Sequence, residues 1–420
     1  MPYRFVHAAD LHLDSPLRSL ALRDPELAAL IGTATRQALM RIVDLCLDEQ
    51  VDALLLAGDL YDGDQTSMKT ARFLAEQMRR LDAAGIDVFV IRGNHDSESR
   101  ITRELVLPER VHIFTGRADV VEVQRPAGAA PIAIHGMSFA QRHAPETLLP
   151  RYKPPVAGAV NIGLMHTSLD GAEGHDPYAP CRLADLQDSG FRYWALGHVH
   201  RRAAYRGTCT VVMPGMPQGR DIGEAGAKSV TLVTVADDGS IDIEERPTAV
   251  AQFARVAVPV GAADDWDALA GRIDAALGAA QAGMVAEHLV ARLEFTGATN
   301  LSWRMRADLD QLRAQAEDRA AALGHCWIDR LEVACAAPSV AAAADDPLAE
   351  LRRLISDEIA PSEAFGDALA AIASELRGQL PPECRHLLSP DPAEAKAAMA
   401  GLLDDGVDEV LARLRGAGAA

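Results

Sequence analysis

The sequence predicts a layered α/β sandwich followed by a small α/β domain and a helical tail. Three observations carry this reading. From Tyr3 to about Pro247, short apolar runs alternate with helix-like stretches. Residues 251–337 read β-α-β-α-β, and beyond Pro347 apolar residues recur at three-to-four spacing. The expected domains are therefore 1–250, 251–337, a linker over 338–346 and a tail over 347–420.

In the first domain the strand-like runs are Phe5-Val6 leading into Ala8-Ala9-Asp10, then Ala53–Ala57, Asp87–Ile91, Ile132–His135, Asn161–Met165 and Tyr193–Leu196. Between the second and third, Thr66–Ala84 has Phe73, Met78 and Leu81 near helical spacing, with Gly85 as a stop. Thr208–Met213 and Ser229–Ala236 follow closely, so the sheet should finish with antiparallel strands. In the second domain Phe253–Val260, His288–Phe295 and Cys326–Cys335 read as strands, and Asp264–Ala280 and Asn300–Leu323 as helices. Ala336–Asp346, with Pro338 and Ser339, has linker composition. In the tail, Asp391-Pro392 with Glu394 fits an N-cap, a first-turn proline and a capping-box partner. Met399, Leu402, Leu403, Val407, Val410, Leu411 and Leu414 then form one apolar stripe, suited to packing on its own domain or to docking a partner.

A chain of 420 residues, 49% hydrophobic and 24% charged, can bury a large core in more than one domain. No apolar stretch approaches the roughly 20 residues that span a bilayer, and Met1-Pro2-Tyr3-Arg4 runs straight into a strand without a signal sequence. The expectation is a cytoplasmic protein. The six scattered cysteines contain no Cys-x-x-Cys pair, which excludes a zinc-thiolate framework of that type and argues against disulfides. Net charge is −19, which repels a polyanion, but it is uneven. Residues 1–250 carry 26 Lys and Arg against 33 Asp and Glu, and residues 251–420 carry 15 against 27. Phosphate handling therefore belongs to the first part, where Arg100, Arg103, Arg201, Arg202 and Arg206 lie near the motif loops.

Five strand-like runs end in residues that bind hard or borderline metals: Asp10-Leu11-His12, Gly58-Asp59, Gly93-Asn94-His95-Asp96, Met165-His166 and Gly197-His198-Val199-His200. Each alone is weak, since Asp59, Asn94 or Asp96 could serve a turn or a helix cap. Together, each after a strand of an α/β fold whose strand ends converge on one crevice, they point to a metal site. Oxygen and imidazole donors without thiolate suit Mn²⁺, Fe²⁺, Zn²⁺ or similar ions and do not choose among them. Seven candidates exceed the needs of one ion, and two ions clamping a phosphoryl group would use them all. Asp59 is the natural bridge, because a carboxylate has two oxygens.

These blocks resemble the calcineurin-like metallophosphoesterases. His7-Ala8-Ala9-Asp10-Leu11-His12-Leu13-Asp14-Ser15-Pro16, Gly174-His175-Asp176 and Tyr193-Trp194-Ala195-Leu196-Gly197-His198 resemble the SbcD-type DNA-repair exonucleases, and more closely their YhaO-like branch. The likeness covers residues 3 to about 337, and the tail only loosely. It implies a layered α/β/β/α metallophosphoesterase sandwich with a small α/β cap domain. Carried over by motif, Asp10, His12, Asp59 and His200 would hold one ion, and Asp59, Asn94, His166 and His198 the other. His95 would be the catalytic histidine, with Asp96 a candidate to orient it. Asp62 stands where some relatives have a histidine, so any DNA-positioning role of that histidine does not transfer. Gln218-Gly219-Arg220 also resembles the branch, and Arg220 is either a phosphate contact or half of a structural salt bridge. His175 and Tyr178 are ambiguous.

The resemblance implies a DNA exonuclease with some endonuclease activity, dependent on two divalent ions, Mn²⁺ foremost with Fe²⁺, Zn²⁺ or Mg²⁺ as alternatives. Its partners would be DNA and an SMC-like coiled-coil ATPase, with no membrane. Homodimers are common in such relatives, though no residue here specifies one. A phosphatase, or a small-molecule or cyclic-nucleotide phosphodiesterase, would use the same dinuclear site. The β-α-β-α-β addition and the strand-1 block favour the nuclease, and an intact ligand set argues against a non-catalytic binding protein.

Overall fold

The computed structural model describes residues 2–15, 25–62, 67–96, 107–126, 129–139, 146–170, 178–261, 263, 265–336, 347–379 and several positions between 399 and 414. Pro16, Arg100, Arg103, Gly174-His175-Asp176, the linker over 338–346, Cys384 and the cap at Asp391, Pro392 and Glu394 lie outside the described residues. The chain divides into two compact units. The first comprises Met1–Arg255, Ala280–Ala291 and His325–Asp329, and the second Val256–Ala279, Arg292–Gly324 and Arg330–Ala420.

The first unit holds two six-stranded sheets, as the expected α/β/β/α sandwich requires. Chain order gives β1 (Tyr3–Ala8), β2 (Ala53–Ala57), β3 (Asp87–Ile91), β4 (Val111–Ile113), β5 (Asp119–Val123), β6 (Ile132–Gly136), β7 (Val160–His166), β8 (Tyr193–Gly197), β9 (Ala203–Arg206), β10 (Thr210–Met213), β11 (Ser229–Val235) and β12 (Ile241–Pro247). One sheet runs β12-β11-β1-β2-β3-β4 and the other β5-β6-β7-β8-β10-β9. β1 to β4 are mutually parallel, as are β6, β7, β8 and β10, so their carboxyl ends point the same way within each sheet. The antiparallel finish expected at β11 is present, β11 pairing with both β1 and β12.

Period-two alternation sends successive β2 residues to opposite faces. Leu54 and Leu56 join Leu39, Ile42, Leu74 and Met78 on helices α1 (Pro25–Asp48) and α2 (Met68–Ala83). Ala53, Leu55 and Ala57 face the second sheet, among Phe5, Ile162, Leu164 and Tyr193. The second sheet's other face packs Trp194, Leu196 and Val211 beneath a short helix, α3 (Leu183–Gln187). Each fully buried Leu contributes about 1.5–3 kcal/mol, so these apolar layers, not the acidic surface, decide the stacking. The resulting helix-sheet-sheet-helix order is the expected sandwich. The longest helix described, α1, is not among the expected elements, although Leu27, Ile31, Ala34, Ala38, Leu39, Ile42, Val43 and Cys46 recur at helical spacing on its buried face.

The cap elements are β13 (Ala251–Pro259), α4 (Trp266–Ala282), β14 (His288–Thr296), α5 (Ser302–Ala307), α6 (Leu309–Leu323) and β15 (Cys326–Val333), with the strands in the order β13-β14-β15. The single helix expected over Asn300–Leu323 is two, because Asp308 leaves helical dihedrals at φ −110°, ψ 42°. The first ends of these three strands fall in the first compact unit. There Ala251, Phe253 and Val290 pack with Leu27 and Ile31 of α1. In the second unit, Leu269, Ile273, Leu293, Phe295, Met305 and Leu312 are buried.

The tail is helical over α7 (Pro347–Leu354), a π turn (Ile355–Ile359) and α8 (Glu363–Gln379), with helical positions recurring to Leu414. Leu402, Val410 and Leu414 of the apolar stripe are exposed, whereas Met399, Leu403, Val407 and Leu411 are half-buried. No helix among the described residues is long and apolar enough to cross a membrane.

Candidate metal centre

All seven ligand candidates lie at or just beyond the carboxyl ends of five strands: β1, β2 and β3 of one sheet, β7 and β8 of the other. The loop after β1 is zipped to the loop after β2, with Asp10 N donating to Gly58 O (3.0 Å), His12 N to Asp59 O (3.1 Å) and Leu13 N to Leu60 O (2.9 Å). Asp10, His12, Asp59 and His198 all have positive φ (53°, 42°, 51° and 100°), a conformation that costs residues with a side chain about 1–2 kcal/mol each. Such strain persists where the surroundings over-determine it, as at functional sites. The neighbouring glycines leave the space these side chains need. A Cβ on Gly93 would sit 2.1 Å from Asp59 Oδ1, and one on Gly58 would sit 2.4 Å from His166 Nδ1.

The donors converge as two groups, Asp10 with His12 and His200, and Asp59 with His166 and His198, each within 4.8 Å. Asn94 joins the second group through Oδ1, 3.0 Å from His166 Nε2. His166 Nδ1 donates to Ala57 O (2.9 Å), which turns Nε2 toward Asn94 Oδ1 and toward Asp59 Oδ2 at 3.3 Å. In the first group His200 Nδ1 is held by Glu224 Oε1 at 2.8 Å, which turns its Nε2 to within 3.1 Å of His12 Nε2. Lone pairs aimed at a common point, with each ring fixed from behind by a carbonyl or carboxylate, are what a cation requires of its ligands. The donor set therefore fits two divalent ions.

The electrostatics agree. Burial pushes the Asp10 carboxyl up to about 6, with the Asp59 charge adding to it. Burial also opposes ionisation of Asp59, but the His166, His12 and His95 rings together hold it below the usual carboxylate range. Burial lowers His166, yet the Asp59 and Asp10 carboxylates outweigh it and raise the ring to about 9. Buried His12 falls to about 3, so it is held neutral, the form that ligates a metal.

His95 stands apart from both groups. Its backbone N donates to Asp59 Oδ1 (3.0 Å), its ring lies edge-on to His12 at 5.3 Å, and it is partly exposed. Asp96, the candidate to orient it, is turned elsewhere. The Asp96 carboxylate is fully buried and accepts from Leu60 N and Tyr61 N, both at 2.9 Å, so it braces the loop that carries Asp59. Asp62 takes the orienting place, its Oδ1 lying 3.2 Å from His95 Nδ1. This ion pair raises His95 above the ordinary imidazole range and lowers Asp62 below the carboxylate range. Ser15 Oγ donates to Asp62 Oδ2 at 2.6 Å, and Arg220 Nη1 approaches it at 3.5 Å.

Arg220 also pairs with Glu224 at 2.6 Å, so one guanidinium joins the carboxylate behind His95 to the carboxylate behind His200. The salt-bridge alternative for Arg220 is the one realised. Sequence reasoning missed Glu224 altogether, although its i,i+4 spacing from Arg220 was a usable signal. His12, Ser15, Asp62, His95, His200, Arg220 and Asp221 line a cavity of about 220 Å³ beside the ligand groups. Of the arginines expected near the loops, Arg202 and Arg206 pair with Glu245 (3.3 Å) and Asp242 (3.9 Å), and Arg201 is exposed. Tyr178 stacks edge-on against His198 at 5.1 Å.

Residues 3–202 match the family model described as calcineurin-like phosphoesterase, and residues 253–336 that of the YhaO metallophosphoesterase middle domain. The chain is 38% identical over 266 residues to the uncharacterized metallophosphoesterase YhaO of Bacillus subtilis, covering 63% of this chain and 65% of that protein. It is 27% identical over 207 residues to the DNA double-strand break repair protein Mre11 of Sulfurisphaera tokodaii, covering 48% and 50%. Over 270 residues it is 24% identical to one of the subunits of the nuclease SbcCD from Bacillus subtilis, covering 55% and 66%. The chain thus spans between half and two-thirds of the length of these relatives.

Proposed function

We propose that this chain, which matches the calcineurin-like phosphoesterases through residues 3–202, hydrolyses phosphoester bonds and acts on the phosphodiesters of DNA. The observation that carries the reading is His95, a non-ligand histidine paired with Asp62 at the edge of the open cavity, beside two complete ligand groups. Cleaving a phosphodiester leaves an alkoxide that needs a proton, and His95, whose protonated form Asp62 favours, supplies it from Nε2. Asp62 positions the ring, and Ser15 and Arg220 position Asp62. Asp10, His12 and His200 would hold one divalent ion, and Asn94, His166 and His198 the other, with Asp59 between them. When bound, the two ions would activate water and offset the charge gathering on the phosphoryl oxygens. Mn²⁺ is the proposed metal, carried over from the family resemblance; the carboxylate, amide and imidazole donors suit it as they suit Fe²⁺ and Zn²⁺.

DNA, rather than a small phosphodiester, is favoured by two of the relatives, one named for double-strand break repair and one as part of a nuclease. Cleavage is exonucleolytic with some endonuclease activity, and the protein works in the cytoplasm beside an SMC-like coiled-coil ATPase held on the helical tail. The test is a parallel assay with Mn²⁺ on linear duplex DNA, an aryl phosphodiester and a cyclic nucleotide. The reading expects progressive shortening of the duplex. Hydrolysis of the small esters with the duplex left intact would replace it with a small-molecule phosphodiesterase.

A further inference from the structure

A second cluster of metal-binding side chains lies in the first compact unit, and none of its members is a ligand of the two-ion centre. His288 opens β14 and His325 immediately precedes the neighbouring strand β15, their backbones joined by Leu289 N donating to His325 O at 2.8 Å. Their Nδ1 atoms are 3.3 Å apart and their rings 4.8 Å apart at 52°. Glu287 Oε1 lies 3.8 Å from the other ring nitrogen of His288, Nε2, and 4.0 Å from His325 Nδ1. One donor atom from each of the three lies within 4.8 Å of the others.

Two further features prepare the cluster. His325 has φ +52° directly after Gly324 at +71°, a left-handed pair that presents its imidazole to His288 in a conformation most side chains avoid. Arg41 of α1, anchored by donating to Ala249 O at 2.6 Å, holds Glu287 Oε2 at 3.5 Å and leaves Oε1 turned to the histidines. Burial lowers His288 below its ordinary range, with Arg41 and His325 acting in the same direction and Glu287 against them.

We infer that Glu287, His288 and His325 form a separate site for one zinc-class ion, which clips the start of β14 to the start of β15. Two imidazoles and one carboxylate are the donors of a tetrahedral zinc site whose fourth position is left to water. Imidazole-rich sites prefer Zn²⁺ over Mn²⁺, so this site selects differently from a manganese-loaded phosphoesterase centre. The carboxylate held from behind by Arg41 is the outer support such ligands commonly carry.

The test uses the full chain, stripped of metal, reloaded with Zn²⁺ and dialysed, with bound zinc counted by elemental analysis. His325→Asn is the informative variant, because asparagine tolerates the left-handed conformation and cannot serve as an imidazole ligand. The expected result is that this variant holds one zinc fewer per chain than wild type, loses part of the Zn²⁺-dependent rise in Tm, and keeps its Mn²⁺-dependent hydrolysis of an aryl phosphodiester. His288→Ala should reproduce the lost equivalent. Equal zinc content in wild type and His325→Asn would overturn the inference and leave the two rings as a hydrogen-bonded surface pair. Loss of zinc together with loss of Mn²⁺-dependent hydrolysis would also overturn it, since the residue would then serve the phosphoesterase centre.

Discussion

His95 and Asp59 are joined by a 3.0 Å hydrogen bond, yet the geometry gives them different duties. Asp59 has its oxygens among the ligand atoms, and His95 does not. His95→Ala should lower DNA hydrolysis about 10²–10⁴-fold, the range for a lost general acid, while bound Mn²⁺ stays at the wild-type level. Asp59→Asn should lose metal and activity together. Elemental analysis beside the nuclease rate separates the two, and metal loss as complete in His95→Ala as in Asp59→Asn would reverse the assignment. Asp62→Asn should act through His95. Loss of an orienting partner typically costs about 10–100-fold, here expected in kcat with KM and metal content little changed. A variant with unaltered kcat would remove Asp62 from the site.

At the scale of elements, the centre depends on strand ends meeting across two sheets. His7 on β1 ties them together, its Nε2 donating to Leu196 O (3.0 Å) on β8 and its Nδ1 accepting from Tyr193 OH (2.9 Å). Burial lowers this ring to about 3, so it is neutral in the folded state and titrates near 6.5 when unfolded. The unfolded chain then binds the extra proton between those values. The His7 contribution is complete above about pH 6.5 and declines as pH falls toward 3, at up to about 1.4 kcal/mol per pH unit. His7→Gln should be less stable than wild type at pH 7.5 but show a flatter fall in Tm between pH 6.5 and 5; parallel curves would dismiss His7 as a source of acid sensitivity. The glycines offer a second check at this scale. Gly93→Ala drives a methyl into Asp59 and should cost metal binding, whereas Gly85→Ala, at φ +80° with open space around it, should cost about 1–2 kcal/mol of stability and no metal.

For the whole molecule, the acidic second half carries an apolar surface of its own. Ile355, Leu369, Ile372, Leu403, Val407 and Val410 line a cavity of about 470 Å³ among the tail helices. Asp408 pairs with Arg352 of α7 at 2.6 Å and with Arg306 of α5 at 3.5 Å, so the tail is tied to the cap helices of the same unit. The apolar stripe thus suits both of the uses its spacing allows, half-burying one set of residues and exposing another. Its acidic surroundings disfavour DNA, so under the proposed function the stripe would dock protein. Deleting residues 347–420 should preserve basal cleavage and abolish co-purification with the ATPase. The double variant Leu402→Ser, Val410→Ser, at positions 66% and 55% exposed, should do the same without disturbing the fold. Full recovery of the ATPase with either protein would sink the docking reading.

The strands and the inventory of the centre were already written in the sequence. Period-two apolar runs and the residues that end them are local properties, so Asp10, His12, Asp59, Asn94, His166, His198 and His200 were legible before any contact was known. The helical tail was legible for the same reason, its stripe being written at helical spacing. Whatever depends on separate segments meeting had to wait for the tertiary structure. It assigned the orientation of His95 to Asp62 rather than to the adjacent Asp96, because the β3 loop turns Asp96 inward onto the Leu60 and Tyr61 amides. It brought Glu224 behind His200 across 24 residues of chain, and it placed Glu287 and His288 beside His325, 37 residues after His288, through pairing of two strands. It also decided which strand joins which sheet, since one alternating apolar pattern serves equally a strand between helices and sheet or one in either of two stacked sheets.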